Sequence, residues 1–156
     1  MQKSLKNLNL KTNSEVTKDV GSISHLTSIR VCSSQQVAEY LRTIWDKESF
    51  LHCESVYVVL LNRDEEIIDS KLLNIGTWRS TYIDMRRLLM FAFVNNAFTI
   101  VIAHNHPSGD PKPSQADLDR TESIQTTLKE CDLILKDHVI ISDKTYYSFR
   151  DNKLLD

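Results

Sequence analysis

Residues 100–117, IVIAHNHPSGDPKPSQAD, join an apolar run, two histidines two positions apart, a proline-rich loop, and a serine followed three residues later by an aspartate. The apolar run is typical of a buried strand, and the serine–aspartate pair is typical of a helix start. Residues i and i+2 of an extended segment point to the same side. The stretch therefore predicts a strand, a tight loop and a helix, with His104 and His106 presented together at the junction.

Two interpretations of this junction stand side by side. In the first, His104 and His106 end a strand, Gly109 and the prolines turn the chain, and Ser114 and Asp117 cap a helix. In the second, the two imidazoles and the Asp117 carboxylate bind a metal ion. Two histidines and one carboxylate, with water in the fourth position, form an open catalytic zinc site. The combination of residues favours this second interpretation, with one zinc per chain.

A hydrolytic zinc site also needs a general base for its water, and this base must come from elsewhere in the chain. Glu54 opens the apolar run ESVYVVLL (54–61), so its carboxylate is expected at the mouth of a buried strand. Glu48, Glu65 and Glu66 fall in turns or at a helix end, where solvation is expected. Glu54 is therefore the predicted base.

Composition limits the class of protein. The chain has 156 residues, 41% of them hydrophobic and 26% charged, as expected of one globular domain. The net charge of −2 and the lack of long basic runs predict no general attraction to nucleic acid or to an anionic membrane. There is no long apolar stretch and no secretory signal pattern at the N-terminus. Three cysteines without a CxxC pair argue against disulfides and a thiolate zinc site, and favour a reducing cytoplasm.

Periodicity predicts a single α/β domain over residues 26–156, preceded by a flexible tail over residues 1–25. The predicted strands are 25–34, 55–62, 67–77, 98–104, 133–142 and 145–149, and the predicted helices are 34–47, 84–97 and 114–130. Two of the strand pairs are separated only by short turns and should form hairpins, which excludes an all-parallel sheet. We therefore expect a mixed sheet with helices packed on it.

The motif HNHPSGDPKPSQAD resembles the JAMM (MPN+) metalloprotease pattern of His, any residue, His, seven residues, Ser, two residues and Asp. Together with the later DHVII and the closing YYSF, it resembles the bacterial RadC branch of that family, from about residue 29 to the C-terminus. The resemblance implies a curved mixed sheet flanked by helices, similar to the cytidine deaminases. The deaminase activity itself is not expected, because no H-x-E is paired with P-C-x-x-C.

The resemblance also implies roles for single residues. His104, His106 and Asp117 would bind zinc, and Ser114 would stabilise the oxyanion of the tetrahedral intermediate. Glu54 would correspond to the upstream family glutamate, which shuttles a proton between the water and the leaving amine. The implied activity is hydrolysis of an amide bond in a peptide or protein substrate, either a peptide bond or an isopeptide bond to lysine.

Two other function classes remain as alternatives. One is a DNA-associated accessory module, the repair function implied by the family label. The longer relatives carry a helix-hairpin-helix region, for which this chain is expected to be too short. The other is a protein-binding scaffold without catalysis. The substrate, the oligomeric state and the identity of the metal do not follow from the sequence.

Two interpretations remain open for each of three aromatic residues outside the motif. His138 lies between Asp137 and apolar residues on a predicted strand, so it is either a core-edge histidine satisfied by a neighbour or a contact to the metal site. Trp78 and Tyr82 are either packed surface aromatics or part of a substrate groove.

Overall fold

The computed structural model describes residues 29–155. The helices are α1 (Ser34–Ile44), α2 (Lys47–Phe50), α3 (Met85–Val94) and α4 (Gln115–Glu130). The strands are β1 (Ser55–Leu61), β2 (Ile67–Ile75), β3 (Thr99–Asn105), β4 (Ile134–Ile141) and β5 (Tyr146–Ser148). Within this part of the chain, no helix has both the length and the apolar character needed to cross a bilayer.

The five strands form one sheet in the order β2-β1-β3-β4-β5. The β1–β2 and β4–β5 hairpins are antiparallel, β1 also pairs antiparallel with β3, and β3 and β4 are parallel. A parallel pair needs a crossover connection, and α4 provides it between β3 and β4. The predicted single α/β domain with a mixed sheet and flanking helices is therefore confirmed.

Both faces of the sheet are covered, which explains why the central strands are continuously apolar. On one face, α1 packs through Val37 and Leu41 against alternate residues of β1, β3 and β4. On the other face, α3 and α4 pack against the intervening residues of the same strands. Each fully buried aliphatic side chain contributes about 1.5–3 kcal/mol of hydrophobic stabilisation. We call these the α1 face and the α4 face of the sheet.

Three predicted elements differ from the structure, and one of them is the helix predicted over residues 84–97, which ends at Val94. The described part of the strand predicted over residues 25–34 forms only an isolated bridge between Arg30 and Glu66, and residues 25–28 lie outside the described residues. The helix predicted over residues 34–47 ends at Ile44, because Trp45 turns to an extended conformation and Asp46 caps the short helix α2. The predicted tail, residues 1–25, also lies outside the described residues.

The buried face of α3 is narrow. Leu88 and Ala92, four residues apart, are fully buried and face the sheet. Phe93 is 57% exposed, because it follows Ala92 by about 100° around the helix axis and so points away from the sheet.

Candidate metal centre

The two histidines of the motif lie where β3 ends. His104 belongs to β3 and is only 3% exposed. His106 lies just beyond the strand, but its backbone N–H still donates to the carbonyl of Ile141, at 2.9 Å. The extended conformation thus persists through His106, and both imidazoles lie on the α4 face, as the spacing of two predicts.

The loop and helix that follow bring in the carboxylate. Gly109 has a φ of +88°, a left-handed conformation that favours glycine, in the loop between the histidines and α4. Ser114 caps α4, and a capping box links its backbone and side chain to Asp117. Asp117 is therefore held in the first turn of α4, with its side chain directed back towards the end of β3.

Three side chains with metal-binding chemistry converge here. The distance between the two histidine Nε2 atoms is 3.0 Å. Asp117 Oδ1 lies 3.4 Å from His104 Nε2, and Asp117 Oδ2 lies 3.8 Å from His106 Nε2. Ligands of tetrahedral zinc with bonds of 2.0–2.2 Å are about 3.3–3.6 Å apart. The three groups therefore fit a zinc ion with little rearrangement.

The hydrogen bond of His106 also suits a metal ligand. Its Nδ1 lies 2.7 Å from the carbonyl oxygen of Asp110, which can only accept, so Nδ1 carries a proton. In the neutral ring, Nε2 is then unprotonated and presents its lone pair to the other two ligand atoms. A cation between these electron pairs would remove their mutual repulsion.

Burial and neighbouring charges set the ionisation of the ligand groups. Burial, supported by the adjacent His138, lowers the pKa of His104 well below its usual value and keeps this imidazole neutral. Burial opposes ionisation of Asp117, but His104 and the hydrogen bonds from Ser114 outweigh it and lower the pKa of this carboxyl. Neutral imidazole and ionised carboxylate are the forms that bind metals.

Glu54 lies beside this group of ligands. β1 and β3 pair antiparallel with Val56 opposite His104, so the register places Glu54 level with His106. Burial raises the pKa of the Glu54 carboxyl, and the negative charge of Asp117 raises it further. His106 and Arg120 lower this pKa, but their effect is smaller than the sum of the other two. A carboxyl with a raised pKa is better matched to proton transfer near neutral pH.

A cleft of about 360 Å³ is lined by Glu54 and by two of the candidate ligands, His106 and Asp117. The loop of residues 76–81 forms one wall, including Trp78, which is 51% exposed. Gly76 allows the chain to fold back here, because a Cβ atom would lie 2.2 Å from the carbonyl oxygen of Ser80. Arg120, one turn after Asp117 on α4, ties this wall to the helix by donating to the carbonyl of Thr81, at 2.6 Å.

Ser114 lies at the rim of the same cleft. Its hydroxyl donates to Asp117 Oδ2 at 2.6 Å, and its backbone N–H donates to the same oxygen at 2.8 Å. Ser114 therefore orients the carboxylate of Asp117 in this structure. Contact with an oxyanion would require the hydroxyl to turn away from Asp117, so the oxyanion role of Ser114 stays a prediction.

Sequence reasoning missed Asn105, which lies between the two histidines and points to the α1 face. Its Oδ1 accepts from the backbone N–H of Ser55 at 2.7 Å, and its Nδ2 donates to the carbonyls of Phe50 and Cys53. Asn105 thus fastens the segment that carries Glu54 to the end of β3. A fully buried amide within an apolar strand was the available signal.

The structure also decides between the two interpretations of His138. This histidine is 1% exposed, and its Nε2 lies 2.8 Å from His104 Nδ1. His138 therefore contacts His104, one of the three candidate ligands. Of the two aromatics considered for a groove, Trp78 lines the cleft, and Tyr82 is 60% exposed.

Comparisons with known proteins agree with the motif. The sequence model of the family described as "RadC-like JAB domain" matches residues 13–154. A UPF0758 protein of Streptococcus agalactiae serotype Ia is 31% identical over 147 residues, which cover 94% of this chain and 64% of that protein. A UPF0758 protein of Streptococcus pyogenes serotype M6 is 34% identical over 152 residues, covering 97% of this chain and 66% of that protein.

The chain thus spans slightly less than two thirds of the length of these curated relatives, 64% and 66%. Their names state no activity, substrate or partner. The family prediction made from the His-x-His, Ser and Asp spacing is confirmed, and this chain belongs to the family of RadC-like JAB domains.

Proposed function

We propose that this domain is a zinc-dependent hydrolase that cleaves an amide bond in a peptide or protein, either a peptide bond or an isopeptide bond to lysine. The observation that carries the proposal is the convergence of His104, His106 and Asp117, the last two of which line one cleft with Glu54. In this proposal the first three residues hold one zinc ion, and Glu54 is the general base.

Zinc, when bound, supplies a positive charge that polarises a carbonyl group and acidifies water towards neutral pH. Glu54 accepts the proton of the attacking water, and its partly buried position favours the protonated form that results. Glu54 then delivers this proton to the leaving amine nitrogen. Ser114, if its hydroxyl turns from Asp117, donates a hydrogen bond to the oxyanion, and such donors commonly make a large contribution to catalysis.

The shape and lining of the cleft support a peptide substrate. Its volume of about 360 Å³ lies at the lower end of small-ligand sites. Trp78 offers an apolar surface beside the Glu54 carboxyl, and Arg79 offers hydrogen-bond donors for backbone carbonyls. An extended peptide segment suits this arrangement.

The first test measures metal. Full-length protein is purified without a tag, and zinc is measured by elemental analysis in the wild type and in His106→Ala. We expect about one zinc per wild-type chain and a loss of this zinc in the variant. If neither protein contains metal after incubation with zinc, the metal site is refuted, and the scaffold and DNA-associated alternatives take its place.

The second test separates the base from the ligands. Glu54→Gln should keep its zinc and lose about 10²–10⁴ of the hydrolysis rate on a panel of peptide and lysine-isopeptide substrates, because it removes a proton carrier. Glu48→Gln, on the short helix α2, is the matched control and should retain full activity. Loss of zinc in Glu54→Gln would contradict its assignment as a base that does not bind the metal.

A further inference from the structure

A line of buried hydrogen bonds leads away from the proposed metal ligands. His104 Nδ1 lies 2.8 Å from His138 Nε2, and His138 Nδ1 lies 2.6 Å from the hydroxyl oxygen of Thr121. The Thr121 hydroxyl also lies 2.6 Å from the backbone carbonyl of Asp117, one turn earlier on α4. The line therefore begins at one proposed ligand and ends at the backbone of another.

The far end of this line fixes the direction of every hydrogen bond in it. The carbonyl of Asp117 can only accept, so the single hydroxyl proton of Thr121 is donated there. The Thr121 oxygen must then accept from His138, which places a proton on His138 Nδ1. In the neutral His138 ring, Nε2 is left as an acceptor, and it receives the proton on His104 Nδ1.

The result at His104 is an unprotonated Nε2, and this is the atom that faces His106 and Asp117. The reverse direction would place a proton on His104 Nε2 and prevent this atom from binding a metal. It would also leave the Thr121 and Asp117 oxygens 2.6 Å apart with no proton between them. The direction set by Thr121 satisfies the buried end of the line, and it leaves His104 Nε2 and His106 Nε2, 3.0 Å apart, with no proton between them, which is the arrangement that a bound cation requires.

We propose that Thr121 and His138 are positioning residues that hold His104 in the Nδ1-protonated tautomer and so prepare its Nε2 to bind zinc. His138 is itself fixed in orientation, because its ring stacks on Phe149 with centroids 4.7 Å apart and an angle of 17° between the planes. The proposal rests on the proposed function only in assigning a zinc ion to this site. The protons of Thr121 and His138 that set this tautomer are fixed by the Asp117 carbonyl, without reference to the metal ion.

The first experiment reads the tautomer directly. Protein labelled with ¹⁵N-histidine is stripped of metal with a chelator, and two-bond ¹H–¹⁵N spectra are recorded near pH 8. The His104 signals are assigned by their loss in His104→Asn. We expect a protonated Nδ1 and an unprotonated Nε2 at His104, with the same tautomer at His138. A protonated Nε2 at His104 would overturn the proposal.

The second experiment uses Thr121→Val and Thr121→Ser, which nearly match threonine in size and differ from each other in the hydroxyl group. Zinc affinity is measured by competition with a chromophoric chelator. We expect about a tenfold loss or more in Thr121→Val, the range found for partners of metal ligands, and near wild-type affinity in Thr121→Ser. Equal affinities in the two variants would overturn the role of Thr121.

The third experiment tests the acceptor at position 138. His138→Phe keeps an aromatic ring beside Phe149 but removes the acceptor, whereas His138→Gln can place an amide oxygen near His104 Nδ1. We expect a 10–100-fold loss of zinc affinity in the phenylalanine variant and recovery of most of it in the glutamine variant. Equal loss in both folded variants would show that the imidazole ring serves packing alone, which would overturn the proposal.

These outcomes separate the proposal from the proposed function. If the wild-type protein binds zinc and behaves as described but cleaves no substrate, only the hydrolase assignment fails. If the wild-type protein binds no zinc, the proposed function fails, and the spectra of the metal-free protein still decide the tautomer.

Discussion

Asp137 and His138 are consecutive residues of β4, both 1% exposed, and they point to opposite faces of the sheet. On the α1 face, Asp137 accepts from the Ser148 hydroxyl at 2.6 Å and from the Arg150 backbone N–H at 3.1 Å. These hydrogen bonds join β4 to β5 and the turn after it. On the α4 face, the hydrogen bonds of His138 lead to His104 and the proposed metal site.

The difference shows which buried polar groups point to a function. Burial alone is not informative, because polar groups in a protein interior are normally satisfied by partners, as Asp137 is. The α4 face differs because its hydrogen bonds leave lone pairs of two imidazoles and a carboxylate directed at one another. Such an arrangement is unfavourable without a cation. The feature that indicates a function is therefore a set of lone pairs that point at one another with no hydrogen-bond donor between them. The number of buried polar residues does not indicate it.

The largest expected difference between the two faces appears in the pH dependence of the free energy of unfolding of the metal-free protein. Burial lowers the pKa of His138 from 6.5 to about 3, so the unfolded chain binds a proton that the folded protein does not. The contribution of His138 to the free energy of unfolding is therefore fully present above pH 6.5 and is lost as the pH falls towards 3. The slope for one such group is about 1.4 kcal/mol per pH unit.

The contribution of Asp137 to the pH dependence of stability has the opposite sign, because burial raises the pKa of its carboxyl above the ordinary value of 3.8. Its contribution to stability is greatest at low pH and is lost as the pH rises through its folded pKa. In chemical denaturation between pH 7 and pH 4, His138→Gln should therefore flatten the loss of stability, and Asp137→Asn should steepen it. Identical slopes in wild type and His138→Gln would contradict the lowered pKa of His138.

The second prediction concerns stabilisation by zinc. At a free zinc concentration of 100 times Kd, the wild type should gain about 2.7 kcal/mol in free energy of unfolding. Asp137→Ala should lose about 1–3 kcal/mol because it leaves two buried donors unsatisfied, yet it should gain the same increment from zinc. His106→Ala should gain nothing.

Denaturation with and without zinc measures these increments, and Asp143→Ala is the control for Asp137→Ala. Asp143 is exposed on the surface, so its substitution should change stability by less than about 0.5 kcal/mol. A smaller zinc increment in Asp137→Ala would mean that the two faces are coupled through β4.

Features of the site that depend on local pattern could be predicted from the sequence. The two-residue period of a strand places His104 and His106 on one side, and the serine–aspartate spacing gives the helix cap that carries Asp117. The position of Glu54 at the mouth of β1 was also expected, although its alignment with His106 depends on the β1–β3 register. All elements predicted within the described residues formed except the first strand.

The features that could not be predicted depend on contacts between distant segments. His138 meets His104 because β3 and β4 pair in parallel with Ile102 opposite His138, and no local pattern determines that register. Thr121 shares a helix face with Asp117, but its partner on β4 follows only from the packing of α4 on the sheet. The sequence therefore identified the proposed ligands, and the structure was needed to find the residues that orient them.

The smallest expected effect compares the two helix caps. Ser33 caps α1 and Ser114 caps α4, and each forms a capping box with the residue three positions later, Gln36 and Asp117 respectively. Replacing either serine with alanine should cost about 0.5–2 kcal/mol of stability, because the side chain no longer accepts from a backbone N–H of the first turn. In stability alone, the two variants should be similar.

They should differ in zinc affinity. The Ser114 hydroxyl donates to the same Asp117 carboxylate that we assign to the metal, whereas the box at Ser33 involves only a neutral amide. Ser114→Ala should therefore weaken zinc binding through a less well oriented carboxylate, and Ser33→Ala should leave it unchanged. Zinc titration of both variants checks this. Both serines cap a helix, but only Ser114 is proposed to orient a metal ligand. Equal zinc affinities in the two variants would therefore mean that Ser114 only caps α4.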